Sequence, residues 1–448
     1  MIKARSIALL LLSLVMDIDA PANAATDVWQ YGEPGTGTFL DAMTADESGA
    51  RYLGGAFGSE TFSLGGRLLT RVGTRDGYVA RLDRAGKSLW AVNIGGPGAI
   101  VVIDALTVDA DGAVYVTGFF WDGDLSTHSV PQVGNVDGLL IKLDRDGRPL
   151  WSRAFGGPDV NAYLSDATSD ADGNVYVTGI FYRGNLAQPI KLPRQGVGTL
   201  LAAKFDASGE LVWIQAEGAP DLQAQANSIA ADSVGNAYVA GTWIHDSACS
   251  PPPIVCRDEK AFLLKLDSSG RRSYLQTLGA HDGSKSTGNV VEVDRQDNLW
   301  FIVNGYNDAT VTKRDPADRE LWIRRFSSSR WGFLSLASLA FERDGRIYLG
   351  GSLFGTTLDP PLRSLSQGDA MVIALDADGH SLWGKTWGGN WPGLSLRDIV
   401  AVGEDAPFVS GQLYAEHIDS PPLQRIGLLD GFVFGPKAVL TLFQNGFD

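Results

Sequence analysis

One stretch constrains this chain more than any other: Asp76–Gly96, DGYVARLDRAGKSLWAVNIGG. It reads as a β-strand, a tight turn at Arg84-Ala85-Gly86, and a second strand led in by Trp90. Close copies start at Asp137 and Asp369, and looser ones at Thr199, Lys260 and Asp308. With a seventh start at Asp430, the positions 76, 137, 199, 260, 308, 369 and 430 are spaced by 61, 62, 61, 48, 61 and 61 residues. The matching aromatics are Trp90, Trp151, Trp213, Tyr274, Trp322 and Trp383. So regular a period belongs to a repeat architecture, in which each unit buries its apolar face on its neighbours.

Each repeat carries four strand signals. The first precedes a turn, as in DALTVDADG from Asp104 or NSIAADSVG from Asn227. The second is rich in β-branched and aromatic residues: AVYVTGFF from Ala113, NVYVTGIF from Asn174, NAYVAGTW from Asn236, RIYLGGSL from Arg346. A longer polar connection follows, then the YVARLD-type strand and the Trp-led strand. No stretch beyond the N-terminus shows helical apolar periodicity. Four antiparallel strands in each of seven units describe an all-β chain, a seven-bladed β-propeller. The expected blades cover 38–96, 98–157, 160–218, 223–279, 286–327, 333–389 and 396–448 with 25–32, a single domain over 25–448. Blade five is the shortest and has Tyr274 before it for Trp. The lone Trp strand at Ala25–Gly32 is expected to complete the last blade and close the ring, leaving no open edge. The alternative is that Ala438–Phe443, AVLTLF, supplies that strand.

Residues 1–24 read as a secretory signal: Lys3 and Arg5 ahead of a short apolar core at Ile7–Val15, then Ala22-Asn23-Ala24 as a cleavage site. The apolar run is too short to span a bilayer, and no later run reaches about 20 apolar residues. A secreted or periplasmic protein without a membrane span, expected as a monomer, follows. The net charge of −15 argues against nucleic-acid partners, which demand basic patches. The two cysteines, Cys249 and Cys256, frame CSPPPIVC; in an oxidising compartment they are expected to form a local disulfide stapling one loop. Their spacing does not suit zinc.

The alternation of D-x-x-V-x-x-L-D-x-x-G-x-x-L-W-x-x-x-x-G-G with D-x-x-G-N-x-Y-V-T-G resembles the bacterial seven-bladed propeller repeat called SBBP, over nearly the whole chain after residue 24. Phe62-Ser63-Leu64-Gly65-Gly66 suits the same pattern. Blade five departs most, reading IVNG for YVTG. The resemblance implies an exported repeat protein and no shared activity. The set Ala374, Asp376, Gly379 and Trp383 is similar to the tryptophan-docking motif of quinoprotein propellers, a structural likeness, and the final FQNGFD resembles tails on some secreted bacterial proteins.

Function is expected where the copies disagree, on the face carrying the variable second-to-third connections. At the start of the inner strands one aligned column reads Asp41, Asp104, Ser165, Asn227, Asn289, Ala337, Asp398, expected to ring the mouth of the central channel. Asp41, Asp104 and Asp398 fall on consecutive blades; clustered carboxylates suit a hard cation such as calcium, while the structural reading is that short polar side chains cap backbone groups near the axis. A second column reads Trp121, Tyr182, Tyr306, Phe354 and Tyr414, residues that either stack on a ligand or anchor a loop. The DADG and DRDG turns lack the third acid and the closing Glu of a calcium loop and read as hairpin turns. No nucleophile elbow, HExxH or phosphate loop is present, and no cofactor other than calcium is suggested. The expected function is a non-catalytic binding or interaction scaffold for a protein or glycan partner; the alternative is a propeller lyase or hydrolase acting on polysaccharide or peptide through the three carboxylates.

Overall fold

The computed structural model describes residues 28–33, 36–248, 255–279, 285–328, 332–354, 368–388, 394–403, 407–414 and 428–435, with short segments at 357–358, 362–363, 417–419 and 422–426. The signal segment, Cys249, the Cys256 side chain and Ala438–Phe443 lie outside the described residues, and the expected disulfide with them. Among the described residues every regular element is a strand, and none is a helix long and apolar enough to cross a membrane.

The strands form antiparallel units of four, joined in chain order as the repeat predicts. The first unit is Thr38–Ala45, Arg51–Phe57, Asp76–Leu82 and Ser88–Ile94. Innermost strands of the later units are Ile100–Val108, Val160–Ser169, Gln223–Ala231, Thr287–Val293, Phe333–Phe341 and Leu394–Val400. Two units share one eight-stranded sheet, joined only at the parallel pair Gly198↔Gln223. Each innermost strand contacts the next, and Leu394–Val400 contacts Thr38–Ala45. The last unit takes its outer strand from the other end of the chain: Val28–Tyr31 pairs with Asp430–Phe434, Trp29 opposite Val433. The architecture is propeller-like, with apolar clusters lying between neighbouring sheets, such as Tyr52 and Val79 of one against Val101, Ile103 and Leu139 of the next.

The repeated Trp has a specific task. Trp90, Trp151 and Trp322 each send the indole N–H to a carbonyl in the hairpin turn of the following unit: Arg145 at 2.9 Å, Ala207 at 3.2 Å and Ala377 at 3.3 Å. Each ring lies flat enough on the turn glycine that a Cβ there would collide; at Gly147 it would lie 2.8 Å from Trp90. That glycine is also held at φ 82°. Trp29 covers Gly86 of the first unit in the same way, so the N-terminal strand docks as the outer strand of a preceding unit would. Between units four and five both halves change together: Tyr274 replaces Trp, and Asp318, at φ 62°, replaces the glycine.

The glycine of YVTG also has a cause. Among the described residues each innermost strand carries a β-bulge at the same place, with the extra residue at Asp41, Asp104, Ser165, Asn227, Asn289, Ala337 or Arg397. The bulge pushes a carbonyl into the second strand: a Cβ on Gly118 would lie 2.0 Å from the Val102 oxygen, and one on Gly179 2.1 Å from that of Tyr163. Unit five solves this in reverse, placing Gly288 on the inner strand opposite Val303. Its second-to-third connection is also the shortest, Gly305-Tyr306-Asn307. The cysteine-bearing insertion of unit four, expected as a loop, extends the sheet as a hairpin through the pair Ala248↔Val255.

Candidate functional site: an acidic channel beside an aromatic cleft

The innermost strands surround a cavity of about 430 Å³, lined from the bulges downward by residues of all seven. The bulge column supplies Asp41, Asp104 and Arg397 on neighbouring strands. Gln412 Nε2 donates to Asp41 Oδ1 at 2.6 Å, and Arg397 Nε stands 3.9 Å from the same oxygen. Burial pushes the Asp41 carboxyl up to about 6 against the pull of Arg397, Gln412 and Arg75. Asp104 rises to about 7, first through burial and then through the charge of Asp41. Among the described residues Asp104 has no hydrogen-bond partner; it faces the channel.

Asp398 is not the third member of this column, contrary to the sequence expectation. The bulge residue of its strand is Arg397: Leu396 pairs with Gly411 and Asp398 with Ser410. Asp398 aligns instead with Asp166, Ser228 and Ser338, one residue past the bulge, which also line the channel while bonding the backbone of the next unit. Asp166 Oδ2 accepts the N–H of Ile229 at 2.9 Å, Ser228 Oγ that of Val291 at 3.2 Å, Ser338 Oγ that of Ile399 at 3.2 Å, and Asp398 Oδ2 that of Met43 at 3.1 Å. Ser338 Oγ in turn donates to Asp398 Oδ1 at 2.8 Å. These are inter-unit clips, the capping reading of the column. All three expected carboxylates line the channel, but among the described residues no group of three or more His, Cys, Asp or Glu is arranged to hold a metal ion. The DADG-type turns are hairpin turns: Asp109 Oδ1 accepts the N–H groups of Asp111 and Ala113 at 3.1 and 2.8 Å.

Two acids of the channel went unnoticed in the sequence. Asp166 is raised to about 7 by burial, opposed by the N–H groups of Ile229 and Ala167. Glu292 is raised well above the usual range by burial and then by Asp166 and Asp398. Aligning one residue past the bulge finds the first; Glu292 is the one acid in a column that otherwise reads Thr44, Thr107, Thr168, Ala230, Ala340 and Val400.

The aromatic column separates into parts. Trp121 and Tyr182 are brought together by two residues outside the column, Phe119 and Tyr163. Trp121 stacks on Phe119 at 5.9 Å, Phe119 meets Tyr163 edge-on at 4.8 Å, and Tyr163 meets Tyr182 at 6.1 Å. The run borders an open cleft of about 730 Å³ lined by Asn161, Tyr163, Ser165, Tyr182, Arg183, Arg194 and Gln225. Ser165 lines both the cleft and the channel, so the two are adjacent. Tyr414 joins the other side, its hydroxyl bonded to the Gln412 that holds Asp41. Tyr306 is 68% exposed on the short connection of unit five, and Phe354 pairs with Phe333 at a strand end; neither touches the run.

The fold and its bulged, tryptophan-docked units define a propeller-type repeat protein. Residues 212–242 match the SBBP β-propeller repeat, so the chain contains at least one such repeat by that measure. The chain is similar to an uncharacterized WD repeat-containing protein, L264, of Acanthamoeba polyphaga mimivirus, 20% identical over 203 residues that make up 38% of this chain and 14% of that protein. Among solved structures it is similar to a virginiamycin B lyase from Staphylococcus aureus with quinupristin, at 9% identity and TM-score 0.47 over 91% of this chain and 99% of that one. An ulvan lyase gives 10% identity and TM-score 0.48 over 86% and 93%.

Proposed function

We propose that the chain is an exported, seven-bladed propeller that binds a saccharide at the cleft beside its channel. A closed ring is supported by the succession of inner-strand contacts, by Trp29 docking on the first unit, and by the Asp398–Met43 clip between last and first units. Export rests on the character of residues 1–24. The observation that carries the binding role is the Trp121–Phe119–Tyr163–Tyr182 run. Aromatic faces left half-open beside the cleft, which Ile180 and Val197 also line, stack on the apolar faces of sugar rings, while Asn161, Ser165 and Gln225 offer hydrogen bonds to hydroxyls. Titration of the protein against a panel of oligosaccharides tests this; absence of binding to any member, with the protein folded, would refute it.

A catalytic reading draws on one observation: Asp41 and Asp104 hold their protons near neutrality beside the Arg397 cation, a pairing suited to proton transfer next to a developing negative charge. It requires turnover of a bound saccharide that is lost in Asp104→Asn. Binding without turnover leaves the scaffold role standing.

A further inference from the structure

The cleft has a cationic rim that its structural role does not explain. Tyr182-Arg183-Gly184 ends the second strand of unit three where Trp121-Asp122-Gly123 ends that of unit two. The turn holds its middle residue in the left-handed region, φ 62° at Asp122 and 67° at Arg183. Aspartate tolerates that region through its short polar side chain; arginine gains nothing there. Unit three thus keeps a long cation at a position where Asp, Asn or Gly would cost less, the kind of strain that collects at functional positions. Among the described residues the Arg183 guanidinium has no hydrogen-bond or ion-pair partner, and it stands exposed at the edge of the cleft. Arg194, also exposed, lines the same cleft with one Nη on the Gly196 carbonyl at 2.8 Å. No carboxylate is among the residues lining this cleft, in a chain of net charge −15.

Resting on the saccharide-binding reading above, we infer that the cleft selects an acidic saccharide, one whose ring stacks on Tyr163 and Tyr182 while its anionic group meets Arg183 and Arg194. Arginine presents paired donors to carboxylate or sulfate oxygens, and such charge-assisted bonds are stronger than neutral ones.

The test is calorimetric titration of the full protein with an α-1,4-galacturonate tetramer, its fully methyl-esterified form, a sulfated carrageenan tetrasaccharide and hexa-aspartate. The inference expects one or both anionic sugars to bind at least about tenfold tighter than the ester, the loss of one charge-assisted pair. The stronger of the two identifies the anion. Arg183→Asn suits the left-handed backbone, so folding is retained, and it should weaken the acidic sugar about tenfold while leaving the ester unchanged. Equal binding of charged and esterified forms, or equal weakening of both by Arg183→Asn, overturns the acidic selection but not the cleft. Absence of binding by every sugar overturns both. Hexa-aspartate binding as tightly as the uronate shows a charge-only surface and overturns the inference.

Discussion

The carboxylate of Asp398 accepts the backbone N–H of Met43 at 3.1 Å, tying the last unit to the first across 355 residues of sequence. The same carboxylate takes the hydroxyl of Ser338 and its neighbour's own N–H, from Ile399 at 2.8 Å. Three donors therefore converge on one side chain at a junction where three innermost strands meet. Asp398→Ala strands those donors and should lower the stability to urea by roughly 2 kcal/mol. Ser338→Ala, which removes one donor and one acceptor between two units, should cost about 1 kcal/mol. An Asp398→Ala protein as stable as the parent would show that the clip does not hold the ring.

Carboxylates raised by burial set the direction of the pH dependence. Asp41 and Asp398 are held at about 6 and Asp104 and Asp166 at about 7, against about 4 in the unfolded chain. Between those values the folded state binds more protons than the unfolded state, so stability falls as pH rises. The contribution is fully present below about pH 4 and lost by about pH 7. Turn acids such as Asp170 and Asp376, which are lowered by their hydrogen bonds, act only below that window. The thermal midpoint should drop by a few degrees between about pH 5 and pH 8, with a smaller drop in Asp104→Asn. A midpoint rising over that range would contradict the burial of these groups.

Bulge glycines should be the least replaceable residues of the second strands. A Cβ on Gly118 overlaps the Val102 carbonyl at 2.0 Å, and a backbone atom cannot swing aside as a side chain does. Gly118→Ala should cost on the order of 3 kcal/mol, measured by denaturant unfolding. At Val303, where unit five has moved its glycine to position 288, a side chain at the same point of the ladder is already accommodated. Val303→Ala should then behave as an ordinary core truncation of about 1–2 kcal/mol. Equal costs at the two sites would mean that the bulge does not dictate the glycine.

The period, the Trp and the turn aspartates were readable because each unit solves the same problem with the same residue. Even the departures at Tyr274 and Asp318 mark two sides of one contact. What could not be read was register. Whether Arg397 or Asp398 is the bulged residue depends on a pairing with Gly411 and Ser410 that no local pattern encodes, and the answer decides which of the two stands in the column of Asp41 and Asp104 and which clips two units. The aromatic cleft was half visible for a related reason. Trp121 and Tyr182 share a column, but the residues that join them, Phe119 and Tyr163, lie on different strands of successive units and meet only when the sheets pack.

That packing makes the four rings one surface, which gives the binding role its sharpest check. Tyr163 sits in the middle, touching Phe119 on one side and Tyr182 on the other, and it lines the cleft. Tyr163→Ala removes the central platform and should weaken a bound oligosaccharide by about 1–2 kcal/mol, roughly five- to thirtyfold. Trp121→Ala, at the end of the run and outside the cleft, should cost less. Tyr306 is more exposed than either, yet stands apart on unit five, so Tyr306→Ala should leave affinity unchanged. Calorimetry with the same saccharide on the three variants separates the possibilities. If Tyr306→Ala weakens binding as much as Tyr163→Ala, the ligand lies at unit five and the cleft between units three and four is not its site.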